Sequence, residues 1–305
     1  MSSQSGTELV EFAPAKINLT LRVIGKRADG YHDIESLVAF AQPRDRLTLV
    51  IGAPLSLSLD GPTAANAGAV GDNLVLKAAR LLAQAIPDLK TGKFELSKFL
   101  PVAAGIGGGS SDAAAALRLL ARANDLDLSD PRIIAAARAT GADVPVCLDP
   151  KPRVMRGIGE KLSPPVLLPE LPAVLVNPGV AVPTGEVFTT LAALRAKDAP
   201  AQAKSDPATE LAGKSTASKP SPDELISAIA GSTNDLQRPA IALQPIIADV
   251  IEELHALPGC RLARMSGSGA TCFALFDSSP AVQAERLKAS HPGWWICETR
   301  IGTGT

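Results

Sequence analysis

The chain has 305 residues, 46% of them apolar, with 30 basic residues against 31 acidic ones and a formal charge of −1. That is enough apolar material for one large or two modest cores, whereas a nucleic-acid binder would carry a basic excess gathered into a patch. No apolar run approaches the roughly 20 residues that span a bilayer, and residues 1–11 lack the basic-then-apolar layout of a secretion signal, so a cytoplasmic protein is expected. The cysteines Cys147, Cys260, Cys272 and Cys297 show no CxxC pair or metal-ligand spacing and read as reduced, small apolar residues.

In chain order, Ala15 to Ile24 is β-prone, and Leu47 to Leu59 holds the alternation Leu55, Leu57, Leu59 of a half-buried strand. Leu74, Ala78, Leu81, Leu82 and Ala85 recur at helical spacing behind Asp72, the expected cap. A strand from Phe94 to Leu100 then leads into a glycine-rich loop, and Asp112 to Ala123 is strongly helix-forming. Ser129, Asp130 and Pro131 read as cap and first turn of a helix ending near Gly141. Beyond Pro150, proline punctuation between Pro164 and Pro172 precedes a strand over Val174 to Asn177.

The stretch 195–222 is rich in Ala, Lys, Ser and Pro and poor in large apolar residues. It is expected to be a mobile surface insertion, because it cannot bury enough surface to offset the entropy of ordering. Helical periodicity returns from Pro245 to Leu257, followed by strands at Arg261 to Met265 and Cys272 to Phe276, joined by Ser266-Gly-Ser-Gly-Ala-Thr271. A helix over Ala281 to Ala289 and a strand over Trp294 to Glu298 close the chain. There is no internal repeat and no regular βαβ rhythm, so the expected class is α+β in two domains, 1–157 and 158–305.

The chemistry concentrates in Pro101-Val-Ala-Ala-Gly105-Ile-Gly107-Gly108-Gly109-Ser110-Ser111, which runs directly into the alanine-rich helix. Glycines let the backbone turn several N–H groups toward one point, and the helix adds its free first-turn amides and the positive end of its dipole. Ser110 and Ser111 supply hydroxyls for a phosphate oxygen or a phosphate-bound Mg²⁺. The bland alternative is a flexible turn before a helix. No lysine follows the glycines, so this is not a Walker A loop, and Ser110 stands where a dinucleotide fingerprint needs its third glycine. Gly213-Lys214-Ser215 lacks the first Walker glycine and is a decoy. Ser266-Gly-Ser268-Gly does not match a nucleophile elbow either.

The loop resembles the PxxxGLGSSAA signature of the GHMP kinases. Pro14-Ala-Lys16-Ile-Asn18-Leu19, Arg27-Ala-Asp-Gly30-Tyr31-His32, Gly141-Ala-Asp143-Val-Pro145-Val and the segment 266–271 are similar to further motifs of that family, in the family's order. They are nearest to those of its members that act on a cytidine-diphosphate sugar alcohol on the non-mevalonate route to isoprenoid precursors. The resemblance implies a two-domain α+β kinase fold with the active site in the interdomain cleft, and transfer of the γ-phosphoryl of ATP to a 2-hydroxyl.

It also implies roles. Lys16 and Asp143 match the catalytic pair, with Asp143 taking the hydroxyl proton and Lys16 stabilising charge on the transferring group. Pro101, Val102, Ala103, Ala104, Gly105, Ile106, Gly107, Gly108, Gly109, Ser110 and Ser111, with Asn73, match the nucleotide site, and Mg²⁺ accompanies the ATP. Tyr31, His32 and Phe188 match residues that hold the cytosine ring. Asn18, Thr184, Gly267, Ser268 and Gly269 match those along its sugar and phosphates. Taken alone, Lys16 reads as a strand lysine, Asp143 as a turn former, His32 as a surface residue, Phe188 as core and the second glycine segment as a hairpin turn.

Family members often have glycine where this chain has Ala103 and Ala104. Alanine tolerates most of the same backbone but not positive φ, so the sequence leaves the details of the early turn open. Asp112 stands where some members have asparagine. The other readings are a homoserine- or mevalonate-type GHMP kinase, a non-catalytic ATP-binding regulator, and an RNA-binding module, against which the neutral charge argues. The expected partners are small molecules, with neither nucleic acid nor membrane.

Overall fold

The computed structural model describes residues 7–196, 206–214 and 218–302. Four strands open the chain: β1 (Glu8–Asn18), β2 (Arg22–Lys26), β3 (His32–Ile51) and β4 (Ser56–Asp60). The strand expected over 15–24 is thus broken at 19–21, where the Leu19 N–H donates to the Leu37 carbonyl. The strand expected over 47–59 is broken as well. Gly52 turns the chain at φ 88°, a conformation that costs glycine little, and the Leu55–Leu59 alternation falls in β4.

Helix α1 (Leu74–Ala85) is capped by Asn73 rather than the expected Asp72, its side chain accepting from the Val75 N–H at 2.9 Å. Strand β5 (Gly92–Ser97) stops short of Leu100. Helix α2 (Gly108–Ala123) starts inside the glycine loop, four residues ahead of Asp112, and is buried all round from Ser111 to Ala121. Helix α3 (Pro131–Thr140) is capped by Asp130 as expected, and the short α4 (Val144–Cys147) follows Asp143. Then come β6 (Arg153–Gly157), β7 (Lys161–Leu162) and β8 (Leu171–Asn177). A helical stretch contains α5 (Thr184–Arg195), α6 (Pro207–Lys214), α7 (Pro222–Ala230), α8 (Gln237–Leu243) and α9 (Ile246–His255). The chain ends with β9 (Cys260–Met265), β10 (Cys272–Phe276), α10 (Ala281–Ser290) and β11 (Trp295–Gly302).

Two compact units share the chain in alternation: Met1–Ala15, Pro43–Val102 and Gly107–Asp149 form one, and Lys16–Gln42, Ala103–Ile106 and Pro150–Thr305 form the other. Strands β1 and β3 contribute to both. In unit one, β5 pairs antiparallel with β3 (Leu49 opposite Phe94) and parallel with β4 (Leu57 opposite Phe94), and α1, α2, α3 and α4 pack together. In unit two, β8 lies between β11 and β10, β9 flanks β10, and all these pairings are antiparallel. Its core gathers Val174, Val176, Val187, Ile247, Val250 and Met265.

The expectation of an unpacked insertion over 195–222 is corrected where the structure describes it. Arg195 donates to the Val23 carbonyl and pairs with Asp235. Asp206 caps α6 by accepting from the Ala208 and Thr209 N–H groups, both at 3.0 Å, and Ala208 and Ala212 are fully buried. Small side chains bury here by close approach of backbone, so the scarcity of large apolar residues is misleading. Residues 197–205 and 215–217 lie outside the described residues. Among the described residues no helix is long and apolar enough to cross a membrane.

Candidate active site

In unit one, strand β5 delivers the chain to the glycine loop and α2 carries it away. Gly107 caps α2 with a φ of 62° and no side-chain cap, so the first-turn amides, which have no carbonyl ahead of them within the helix, face outward. Gly108 and Gly109 keep that turn bare. Ser111 is committed elsewhere: it is buried, and its hydroxyl donates to the Pro14 carbonyl at 2.7 Å. Of the two expected phosphate hydroxyls, only that of the half-buried Ser110 remains accessible. Asp143 sits immediately before α4, and Asn73 spends its side-chain oxygen on the α1 cap.

The middle of the loop belongs to unit two, where it lies backbone to backbone against the second glycine segment. The Thr271 N–H donates to the Ala104 carbonyl at 3.1 Å and the Ser266 hydroxyl to the Gly105 carbonyl at 3.0 Å. A Cβ on Gly105, whose φ is +75°, would stand 2.5 Å from the Ser266 carbonyl oxygen. One on Gly267 would stand 2.7 Å from the Gly105 carbonyl oxygen. Only glycine fits either place. Ala103 takes a φ of 51° despite its side chain, so the early turn has a left-handed residue there at a cost of roughly 1–2 kcal/mol.

Around these segments the polar residues converge. Lys16, buried in β1, donates its backbone N–H to the Ile106 carbonyl at 2.9 Å. The Asn18 N–H donates to the Ser266 hydroxyl at 3.0 Å and its amide to the Ser36 hydroxyl at 2.8 Å, while its buried side-chain oxygen has no partner. The Thr184 and Ser268 hydroxyls meet at 2.9 Å. Asn234, absent from the sequence expectations, ties the second segment down, its amide donating to the Met265 and Gly267 carbonyls at 2.8 and 2.9 Å. Its only local signal is an ordinary polar cluster between two helices; nothing in its spacing links it to residues 265–267.

The rings also come together. His32 and Phe188 stack with centroids 4.4 Å apart and planes 15° from parallel. Tyr31 is 59% exposed. It follows the β2–β3 turn, in which its N–H donates to Asp29 and its carbonyl accepts from the Arg27 N–H. The Arg27 hydrogen bond holds the Asp29 carboxyl below its ordinary range. Burial, and then the charges of Lys26 and Arg195, push the His32 imidazole down. His32 is therefore a neutral ring at neutral pH, with one donor and one acceptor nitrogen.

Among the described residues no group of three or more His, Cys, Asp or Glu side chains could hold a metal ion.

Residues 73–149 match the family model of the GHMP kinases N terminal domain, and residues 218–291 that of the GHMP kinases C terminal domain. The chain is 56% identical over 304 residues to the 4-diphosphocytidyl-2-C-methyl-D-erythritol kinase of Rhodopseudomonas palustris, covering 97% of this chain and 98% of that one. It is likewise 56% identical over 299 residues to the enzyme of the same name from Methylobacterium radiotolerans, covering 96% and 99%. A solved 4-(cytidine 5'-diphospho)-2C-methyl-D-erythritol kinase matches with a TM-score of 0.71 and 33% identity, over 97% of this chain and 100% of that one. The mevalonate kinase of L. major matches at a TM-score of 0.72 but 19% identity, over 100% and 99%, a likeness of fold alone. The chain belongs to the GHMP kinases, and among them to the 4-diphosphocytidyl-2-C-methyl-D-erythritol kinases.

Proposed function

We infer that this kinase moves the γ-phosphoryl group of ATP onto the 2-hydroxyl of 4-diphosphocytidyl-2-C-methyl-D-erythritol, on the methylerythritol phosphate route to isoprenoid precursors. The observation that carries the substrate is the stacked His32–Phe188 pair in the unit that also joins Thr184 to Ser268. A flat neutral imidazole on a phenyl ring suits a pyrimidine, with Tyr31 free to add a further face. Galactose, homoserine and mevalonate offer nothing for it to stack on. Ser268 and the Gly267 amide would take the diphosphate, the Gly269 N–H donating instead to the Ser266 carbonyl at 3.1 Å, and Asn18, with its unpartnered buried oxygen, would accept from a hydroxyl of the sugar alcohol.

The first-turn amides of α2 and the Ser110 hydroxyl would hold the ATP phosphates, with Mg²⁺ carried by the nucleotide and Asn73 near its base. Phosphoryl transfer needs positioning and charge stabilisation more than covalent chemistry. Asp143 would accept the proton of the attacking hydroxyl and Lys16 would stabilise the charge on the transferring group.

The test is to incubate the purified protein with Mg-ATP and, in turn, diphosphocytidyl-methylerythritol, mevalonate, homoserine and galactose, measuring ADP release. Turnover confined to the first is expected. Faster turnover of any other would overturn the substrate, and none at all the catalytic reading.

A further inference from the structure

Behind the glycine loop, wholly within unit one, lies a cluster of charges that the reaction does not use. The Lys98 ammonium donates to Asp45 Oδ2 at 2.5 Å and to Asp112 Oδ2 at 2.7 Å, and all three side chains are at least 96% buried. The cluster grips both ends of the loop. Asp45 Oδ1 accepts from the Phe99 and Leu100 N–H groups at 2.6 and 2.9 Å, where the chain leaves β5. Asp112 lies one turn into α2, and the Lys98 Nζ stands 3.7 Å from where a Cβ on Gly108 would be.

Two carboxyls and one ammonium leave an excess negative charge if both carboxyls ionise, buried beneath a turn read as a triphosphate cradle. Such a charge is costly without a partner. The partners are unevenly shared, because Asp45 accepts three hydrogen bonds while Asp112 Oδ1 has none.

We propose that Lys98, Asp45 and Asp112 are the positioning residues of the nucleotide loop, and that one proton held between the two carboxyls keeps the loop's underside neutral, so that loss of this proton weakens ATP binding. The proposal rests on the reading of the loop as the ATP site. Burial drives the Asp112 carboxyl up to about 8; the Lys98 charge opposes this, and the charge of Asp45 and a hydrogen bond to it add to it. Burial works against the Lys98 ammonium, but Asp112 and Asp45 outweigh it and its pKa rises. On the neighbouring elements, Lys77 of α1 donates to the Thr140 carbonyl, and Arg118 of α2 pairs with Glu11 and donates to the Cys147 carbonyl. Among the described residues, Lys98 and Asp45 are the charged groups that bear on Asp112.

The experiment is calorimetric titration of Mg-ATP into the full chain between about pH 7 and about pH 9.5, where the nucleotide's own charge is constant over the upper part of the range. Wild-type affinity should fall by about tenfold with a midpoint near 8, the size expected of one charge at the loop. Asp112→Asn, which cannot lose a proton, should abolish that dependence. Because the folded carboxyl lies above its unfolded value of 3.8, the stability it contributes is present below that value and is lost as pH rises through about 8. Thermal melts of Asp112→Asn should lack this decline. An identical pH profile for the variant and wild type overturns the proposal. If Gly107→Val leaves ATP affinity unchanged, the loop reading itself fails, whatever Asp112 does.

Discussion

The two glycine segments make the same kind of surface by different means. The first, Pro101–Gly109, continues into a helix buried from Ser111 to Ala121 and is braced behind by the Lys98 cluster. The second, Ser266–Gly269, is a short link between β9 and β10 held by side chains, with Asn234 on two carbonyls and the Asn18 backbone on the Ser266 hydroxyl. Backbone that runs into a helix has its amides pointed by the helix itself, with the Lys98 cluster holding the loop's two ends. A hairpin link has no such continuation, so its geometry depends on residues distant in sequence. Damage to the first segment should therefore show in the nucleotide, and damage to the ties of the second in the other substrate.

The largest effect sharpens the comparison by separating chemistry from both grips. Asp143→Asn should lower kcat by roughly 10²- to 10⁴-fold while both substrates still bind. Lys16→Met should also lower it, and the double variant should be little worse than the poorer single one. Near-normal turnover of Asp143→Asn in a quenched assay would send the proton by another route.

Gly107→Val comes next. It forces a β-branched residue to a φ of 62° and blocks phosphate approach, so ATP affinity should drop by about 100-fold, from left-handed strain plus a lost charge-assisted bond. Affinity for the cytidine substrate should hold. If both fall together, the segments are not separable as described.

Tyr31→Ala should cost about 1–3 kcal/mol in cytidine-substrate binding, the usual worth of a base stack, with ATP binding unaffected. A loss in neither would mean Tyr31 is not part of the ring site.

Asn234→Ala tests the side-chain ties directly. It releases two carbonyls of the second segment and should cost about 1–2 kcal/mol, read as a raised KM for the cytidine substrate with KM for ATP unmoved. The smallest effect is a gain: Ala103→Gly relieves a positive φ and should raise stability by about 0.5–1 kcal/mol, as a higher midpoint in urea. No gain would mean that neighbouring residues already absorb the strain.

Much of this protein was legible locally. Glycines before an alanine-rich helix announce an anion-binding turn, Asp130 with Pro131 announces a helix start, and Ile246, Ile247, Val250 and Leu254 announce an amphipathic helix, because caps, φ limits and periodicity act over a few residues. The motif order from Lys16 to Thr271 carried the family. Tertiary structure alone decided the rest. It stacked His32 on Phe188, set Gly105 against Ser266 too tightly for a side chain, and turned Ser111 away to Pro14. It also buried α6 through alanines and put Asp45, Lys98 and Asp112 in one hydrogen-bonded cluster. Each depends on contacts between segments far apart in the chain. Nothing in local sequence marks a buried lysine's partners or a glycine's opposite wall, because those are set by what the completed fold brings within reach.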